Sequence, residues 1–186
     1  MRRIEFHKPT VTPKRSCKKH TINVGKKAVG TLITDSLTKG KNLWLIGTGT
    51  GIAPFVSIIR DPETYDKFDE VLLFQTCRFN NELDYGKFIV KSIEEDDMLS
   101  QLSSNKLKFI PTATREKGDF SGRITDWLKT EKFLHVTGKD LNPLEDRVMI
   151  CGSMAMLNDF KSICLQKGLQ EGSNSAPADF VIEKAF

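Results

Sequence analysis

Residues 47–55 read GTGTGIAPF, directly after the apolar run Leu43-Trp44-Leu45-Ile46. A strand that enters a Gly/Thr turn and then a helix presents backbone N–H groups at a helix N-terminus. Glycine lets that backbone approach a ligand closely, and the helix dipole favours negative charge. Thr48, Gly49 and Gly51 therefore form a candidate cradle for the pyrophosphate of a dinucleotide. Pro54 stands where a third glycine would complete the dinucleotide fingerprint, so the segment alone also fits an ordinary strand–helix turn. Two later segments add phosphate chemistry: Cys77-Arg78, and the run TATREKGDFSGR with Thr114, Arg115 and Arg123. Guanidinium groups bind phosphate dianions through paired, charge-assisted hydrogen bonds. NAD-binding sheets place an acid near the end of the second strand for the ribose 2′-hydroxyl. Here the first acid after that strand is Glu82. Arginines and a displaced acid together favour NADP over NAD.

These residues need elements to carry them. Apolar runs at 43–46, 71–76, 108–113, 148–151 and 179–183 read as strands. Helical patterns alternate with them: one starting at Pro54 with Phe55, Ile58 and Ile59 inward and stopped by Asp61-Pro62, then 82–97, 123–129 and 154–167, the last closed by Gly168. Strands that are apolar throughout and alternate with helices imply a five-stranded parallel sheet covered on both faces, an α/β doubly wound fold. Its ligand crevice lies at the carboxyl ends of the strands. Residues 47–50, 77–78, 114–115 and 151–153 all fall there. Residues 28–36 read as a further short strand and turn.

The chain has 186 residues, a hydrophobic fraction of 39% and a charged fraction of 28%, as expected of a soluble globular protein, and its scattered cysteines make a reducing cytoplasm the expected compartment. No apolar stretch approaches the roughly 20 residues of a membrane helix. Four cysteines lack C-x-x-C spacing, which argues against a disulfide framework or metal cluster. His7, His20, His135 and Cys17 have no metal or triad spacing. The net charge of +4 is unevenly placed: residues 1–24 hold seven Lys or Arg against Glu5 alone, so the remainder is slightly acidic. A basic tail can contact nucleic acid, anionic membrane or an acidic protein, but a solvated disordered segment is the expectation, with neither nucleic acid nor membrane as partner.

Residues 42–59 (NLWLIGTGTGIAPFVSII), the RVMICGS of 147–153 and the terminal FVIEKAF together closely resemble the nucleotide domain of bacterial-type ferredoxin (flavodoxin)–NADP reductases. The resemblance runs from about Val24 to the last residue. It implies hydride exchange between NADPH and FAD coupled to single-electron transfer with ferredoxin or flavodoxin. By resemblance Arg78, Arg115 and Arg123 hold the 2′-phosphate, and Asp159 contacts the nucleotide. Cys151 lies beside the nicotinamide with Glu183 in support, and Thr50, Ala185 and Phe186 meet FAD.

The family's antiparallel flavin-binding barrel, with its isoalloxazine and diphosphate motifs, is not matched. Residues 25–41 resemble only the barrel's last strand and linker, after the tail at 1–24 and before the NADP-binding domain at 42–186. Truncation is the expectation, with FAD poorly held and activity reduced. Two other readings follow from the same residues: an NADP-binding module without redox activity of its own, or the reductase part of an oxygenase or flavohaemoprotein.

Overall fold

The computed structural model describes residues 2–5, 21–24, 32–117 and 120–185. The chain divides into two units at residue 30. In the first, β1 (Arg2–Glu5) pairs antiparallel with β2 (Thr21–Val24). At these positions the backbone is hydrogen-bonded strand rather than the tail that the basic composition suggests.

The second unit is built on β3 (Asn42–Thr48), β4 (Glu70–Cys77), β5 (Leu107–Ala113), β6 (Asp146–Gly152) and β7 (Phe180–Lys184). All are parallel, in the order β5-β4-β3-β6-β7. The order reverses between β3 and β6, which is where a doubly wound sheet opens a crevice. β4 and β6 are buried along their whole lengths and β3 up to Thr48, explaining why their sequences are apolar rather than alternating.

Alternate strand residues feed two cores. Leu43, Leu45, Val71, Leu73, Met149 and Cys151 face a layer containing α1 (Ala53–Ile58), α2 (Pro62–Lys67), α3 (Asp84–Glu94) and α4 (Leu99–Ser103). Trp44, Ile46, Leu72, Phe74, Val148 and Ile150 face α5 (Ile124–Trp127), α6 (Lys132–Thr137) and α7 (Met154–Gln166). In the second core Trp44, Phe74 and Phe133 stack with ring centroids 5.1–5.9 Å apart. Each such buried ring or aliphatic side chain contributes about 1.5–3 kcal/mol.

Some boundaries differ from the sequence reading. The expected strand over 28–36 ends, in its described part, as a 3-10 turn at Thr34–Ser36. Asp61-Pro62 both ends one helix and starts the next: the Asp61 carboxylate accepts from the Glu63 N–H at 3.0 Å, and Pro62 occupies the first turn of α2. The helix expected at 82–97 is a 3-10 turn at Asn80–Leu83 followed by α3, with α4 separate. α7 closes as expected, on Gly168 at φ 88°.

The amino edge of the sheet is latched by charge. Buried Arg147 donates to the carbonyls of Thr38, Lys39, Pro143 and Asp146 and pairs with Asp179. Buried Glu70 bridges Lys108 and Lys139. Burial alone would raise the Glu70 carboxyl, but the hydrogen bonds and charges of the two lysines outweigh it and hold the group below the ordinary carboxylate range. Its contribution to stability is therefore present above the unfolded value of about 4.3 and is lost as pH falls through the lower folded value. Glu70→Gln is expected to reduce stability at neutral pH by about 1–3 kcal/mol and to flatten this acid limb. Urea unfolding between pH 3 and pH 7 checks both; a steep, unchanged acid limb in the variant would show that other carboxylates carry it.

Candidate functional site

The glycine loop rises from β3 and touches β6. A Cβ on Gly51 would meet the Cys151 carbonyl and the Gly152 nitrogen, and a Cβ on Gly152 would meet Thr48 Oγ1 and Met156 Sδ. Gly49 adopts φ 54°, a conformation costly for other residues. The loop itself is a 3-10 turn (Gly49–Ile52) running into the six-residue α1, with Pro54 in its first turn. Close approach of two backbones thus sets the turn, and the sequence GTGTG permits it.

Above this contact, at the carboxyl edge, lies a cavity of about 570 Å³. It brings together Thr48, Gly49, Thr50, Cys77, Arg78, Thr114, Arg123 and Asp159 from the sequence reading. Gly51 is buried beneath it, and exposed Arg115 does not line it. Cys151, Glu183 and Ala185 also do not line it. Cys151 and partly buried Ala185 pack in the α1–α4 core, and Glu183 is the register partner of Cys151 across β6 and β7. The Ala185 N–H donates to the Gly152 carbonyl at 3.0 Å. Phe186 lies outside the described residues.

Each arginine is held by backbone geometry. The segment after β5 folds back so that the Gly122 N–H donates to the Ala113 carbonyl at 3.0 Å and Trp127 Nε1 to the Ser121 carbonyl at 3.1 Å. Gly122, at φ 104°, makes that return possible and delivers Arg123 to the cap of α5 at the cavity. Arg78 leaves β4 where the Arg115 N–H donates to the Arg78 carbonyl at 3.0 Å. Two cationic side chains from different loops meet one concavity.

Sequence reasoning placed Ser153 at the crevice edge but missed Ala155 and Met156; the three form the cap and first turn of α7. Ser153 makes no side-chain cap, and the first helical bond runs from the Leu157 N–H to the Ser153 carbonyl at 2.9 Å. The preceding amides of this 13-residue helix are available to an anion. The CGS run at the strand end followed by helical periodicity was the available signal. Glu82 is the larger surprise, because it lines the cavity although it is five residues beyond β4. Its carboxylate turns back, accepting from the N–H groups of Arg78 at 2.8 Å and Phe79 at 3.0 Å.

Polar demand remains at the floor. Thr48 Oγ1 is buried without a hydrogen-bond partner among the described residues. The Cys151 thiol is pushed up to about 11, by burial first and by the Glu183 charge second. It is therefore neutral at physiological pH and suited to packing rather than nucleophilic attack. Among the described residues no group of three His, Cys, Asp or Glu could hold a metal, and no helix is long and apolar enough to cross a membrane.

In the folded protein Cys151 is expected to react with iodoacetamide far more slowly at pH 8 than a free thiol, accelerating toward pH 11. Glu183→Gln is expected to move that acceleration to lower pH. Peptide mapping by mass spectrometry checks both, and labelling at the free-thiol rate at pH 8 would contradict the buried placement.

Residues 45–162 match the family model of the oxidoreductase NAD-binding domain. The chain is 48% identical over 161 residues to the flavodoxin/ferredoxin–NADP reductase of Rhodobacter capsulatus, covering 86% of this chain and 60% of that protein. The crystal structure of a ferredoxin NADP+ reductase from Neisseria gonorrhoeae with bound FAD and NADP superposes with a TM-score of 0.76 at 32% identity, covering 91% of this chain and 66% of that one. A flavohemoglobin from Malassezia yamatoensis shares the fold, with a TM-score of 0.58 at 19% identity over 83% of this chain and 35% of that one. The chain thus spans about 60% of the length of the curated relatives it matches.

Proposed function

The chain belongs to the oxidoreductase NAD-binding domain family, and we propose that it forms the NADP-binding part of a ferredoxin (flavodoxin)–NADP reductase, with residues 42–186 as the NADP domain and 25–41 as the end of a flavin barrel. The observation that carries this reading is the convergence of Arg78 and Arg123 on a cavity also lined by the glycine loop and the start of α7. Identities of 48% and 32% to ferredoxin reductases, against 19% to a flavohemoglobin, favour this reading over a flavohaemoprotein reductase.

In this reading Thr48, Gly49 and the first amides of α7 hold the pyrophosphate, and Arg78 and Arg123 hold the 2′-phosphate. Unpartnered Thr48 Oγ1 fits a ligand that brings its own hydrogen-bond group. Asp159 contacts the nucleotide from α7. Cys151 and Glu183 shape the nicotinamide side of the sheet edge, with Thr50, Ala185 and Phe186 toward the flavin. NADP and FAD supply the hydride and electron chemistry when bound; the chain's own residues bind, orient and exclude water. A ferredoxin or flavodoxin is the proposed electron partner.

Calorimetric titration tests the reading. NADP+ is expected to bind more tightly than NAD+, and equal affinities would overturn it. Arg123→Ala and Arg78→Ala should each weaken NADP+ by about 1.5–3 kcal/mol, roughly ten- to a hundredfold, while sparing NAD+. Arg115→Ala should cost less, since that side chain does not line the cavity.

A further inference from the structure

Three successive backbone amides at the cavity rim point at carboxylates of the chain itself. The Arg78 and Phe79 N–H groups donate to Glu82 Oε2, and the Asn80 N–H donates to Glu116 Oε2 at 2.7 Å. Only one of these acids, Glu82, lines the cavity. These amides hold the Glu82 carboxyl below its ordinary range, with burial opposing and the guanidinium charges of Arg78 and Arg115 adding to the effect. Glu82 is therefore ionised at neutral pH, and its charge is felt by two of the arginines near the nucleotide cavity.

Resting on the NADP reading above, we propose that Glu82 is a specificity-determining residue: a built-in anion that competes with the nucleotide 2′-phosphate for the arginine charge and so limits the preference for NADP over NAD. Its position just beyond β4 is near where an NAD-binding sheet carries its ribose acid. In this chain the backbone amides bind that acid, so it serves the loop. A 2′-phosphate entering the cavity brings negative charge toward a carboxylate that cannot swing away without releasing two N–H groups. An unphosphorylated ribose meets no such repulsion. Preference for the phosphorylated cofactor is then a difference between arginine attraction and glutamate repulsion.

Glu82→Gln separates charge from shape. The amide oxygen can still accept from Arg78 and Phe79, while the negative charge disappears. NADP+ binding is expected to tighten roughly three- to tenfold at low salt, with NAD+ unchanged or weaker, and the gain is expected to shrink at high salt. A merely structural cap would show no such salt dependence. Glu116→Gln is the comparison, because Glu116 caps the same turn without lining the cavity; its NADP+/NAD+ ratio is expected to stay at the wild-type value. Glu82→Ala, which loses cap and charge together, should still raise the ratio even if both affinities fall. An unchanged or lower ratio in Glu82→Gln, or equal shifts in Glu82→Gln and Glu116→Gln, would overturn the proposal. Wild-type chain that binds NADP+ no better than NAD+ would instead overturn the functional reading, and this proposal with it.

Discussion

The contact between the glycine loop and the Cys151–Gly152 peptide governs the chemistry-bearing edge of this molecule. Two glycines, Gly51 and Gly152, allow two backbones to meet where any side chain would intrude. That approach brings the end of β3 against the end of β6, at the point where the sheet reverses order. It also places the loop amides and the start of α7 around one concavity. The parallel ladder on either side then fixes how far Cys77 and Thr114 stand from that centre. A larger residue at either glycine would separate the strand ends, and every distance in the cavity would change with them.

The strands were legible because burial on both faces demands continuous apolar runs, and five such runs sit between helical patterns. The strand ends and the loops after them include Thr48, Gly49, Thr50, Cys77, Arg78, Thr114 and Arg123 of the cavity lining, whereas Asp159, inside α7, was reached only by resemblance. The short helices α2, α4 and α6 were not read, whereas α1 and α5, equally short or shorter, were, because Pro54 marks the start of one and Ile124, Trp127 and Leu128 give the other an apolar face. Asp61-Pro62 is instructive, since the same pair that breaks one helix is a good cap and first turn for another. Arg115 and Glu82 show the limit at the site. Two charged residues at strand ends look alike in sequence, but which one faces the cavity depends on backbone bonds, Arg115 N–H to Arg78 O and the Arg78 and Phe79 N–H groups to Glu82. Such bonds leave no mark in residue type.

Sheet parity divides the functional edge. Cys151 packs into the α1–α4 layer, while the cavity takes its walls from α5 and α7. A one-residue alternation along β6 therefore separates the thiol from the cavity, and the Cys151–Gly152 peptide is the saddle between them. Residues on both slopes are held by the same ladder, so their relative positions are as rigid as the sheet.

The charged latch at the opposite edge carries a different consequence. Arg147 and Glu70 tie loops and strand starts together there, far along the strands from Arg78, Arg123 and Glu82. None of the latch residues lines the cavity, so a substitution at Arg78, Arg123 or Glu82 leaves the latch's hydrogen bonds and ion pairs in place. The binding edge can therefore be altered while the charge pairing at the other edge stays intact.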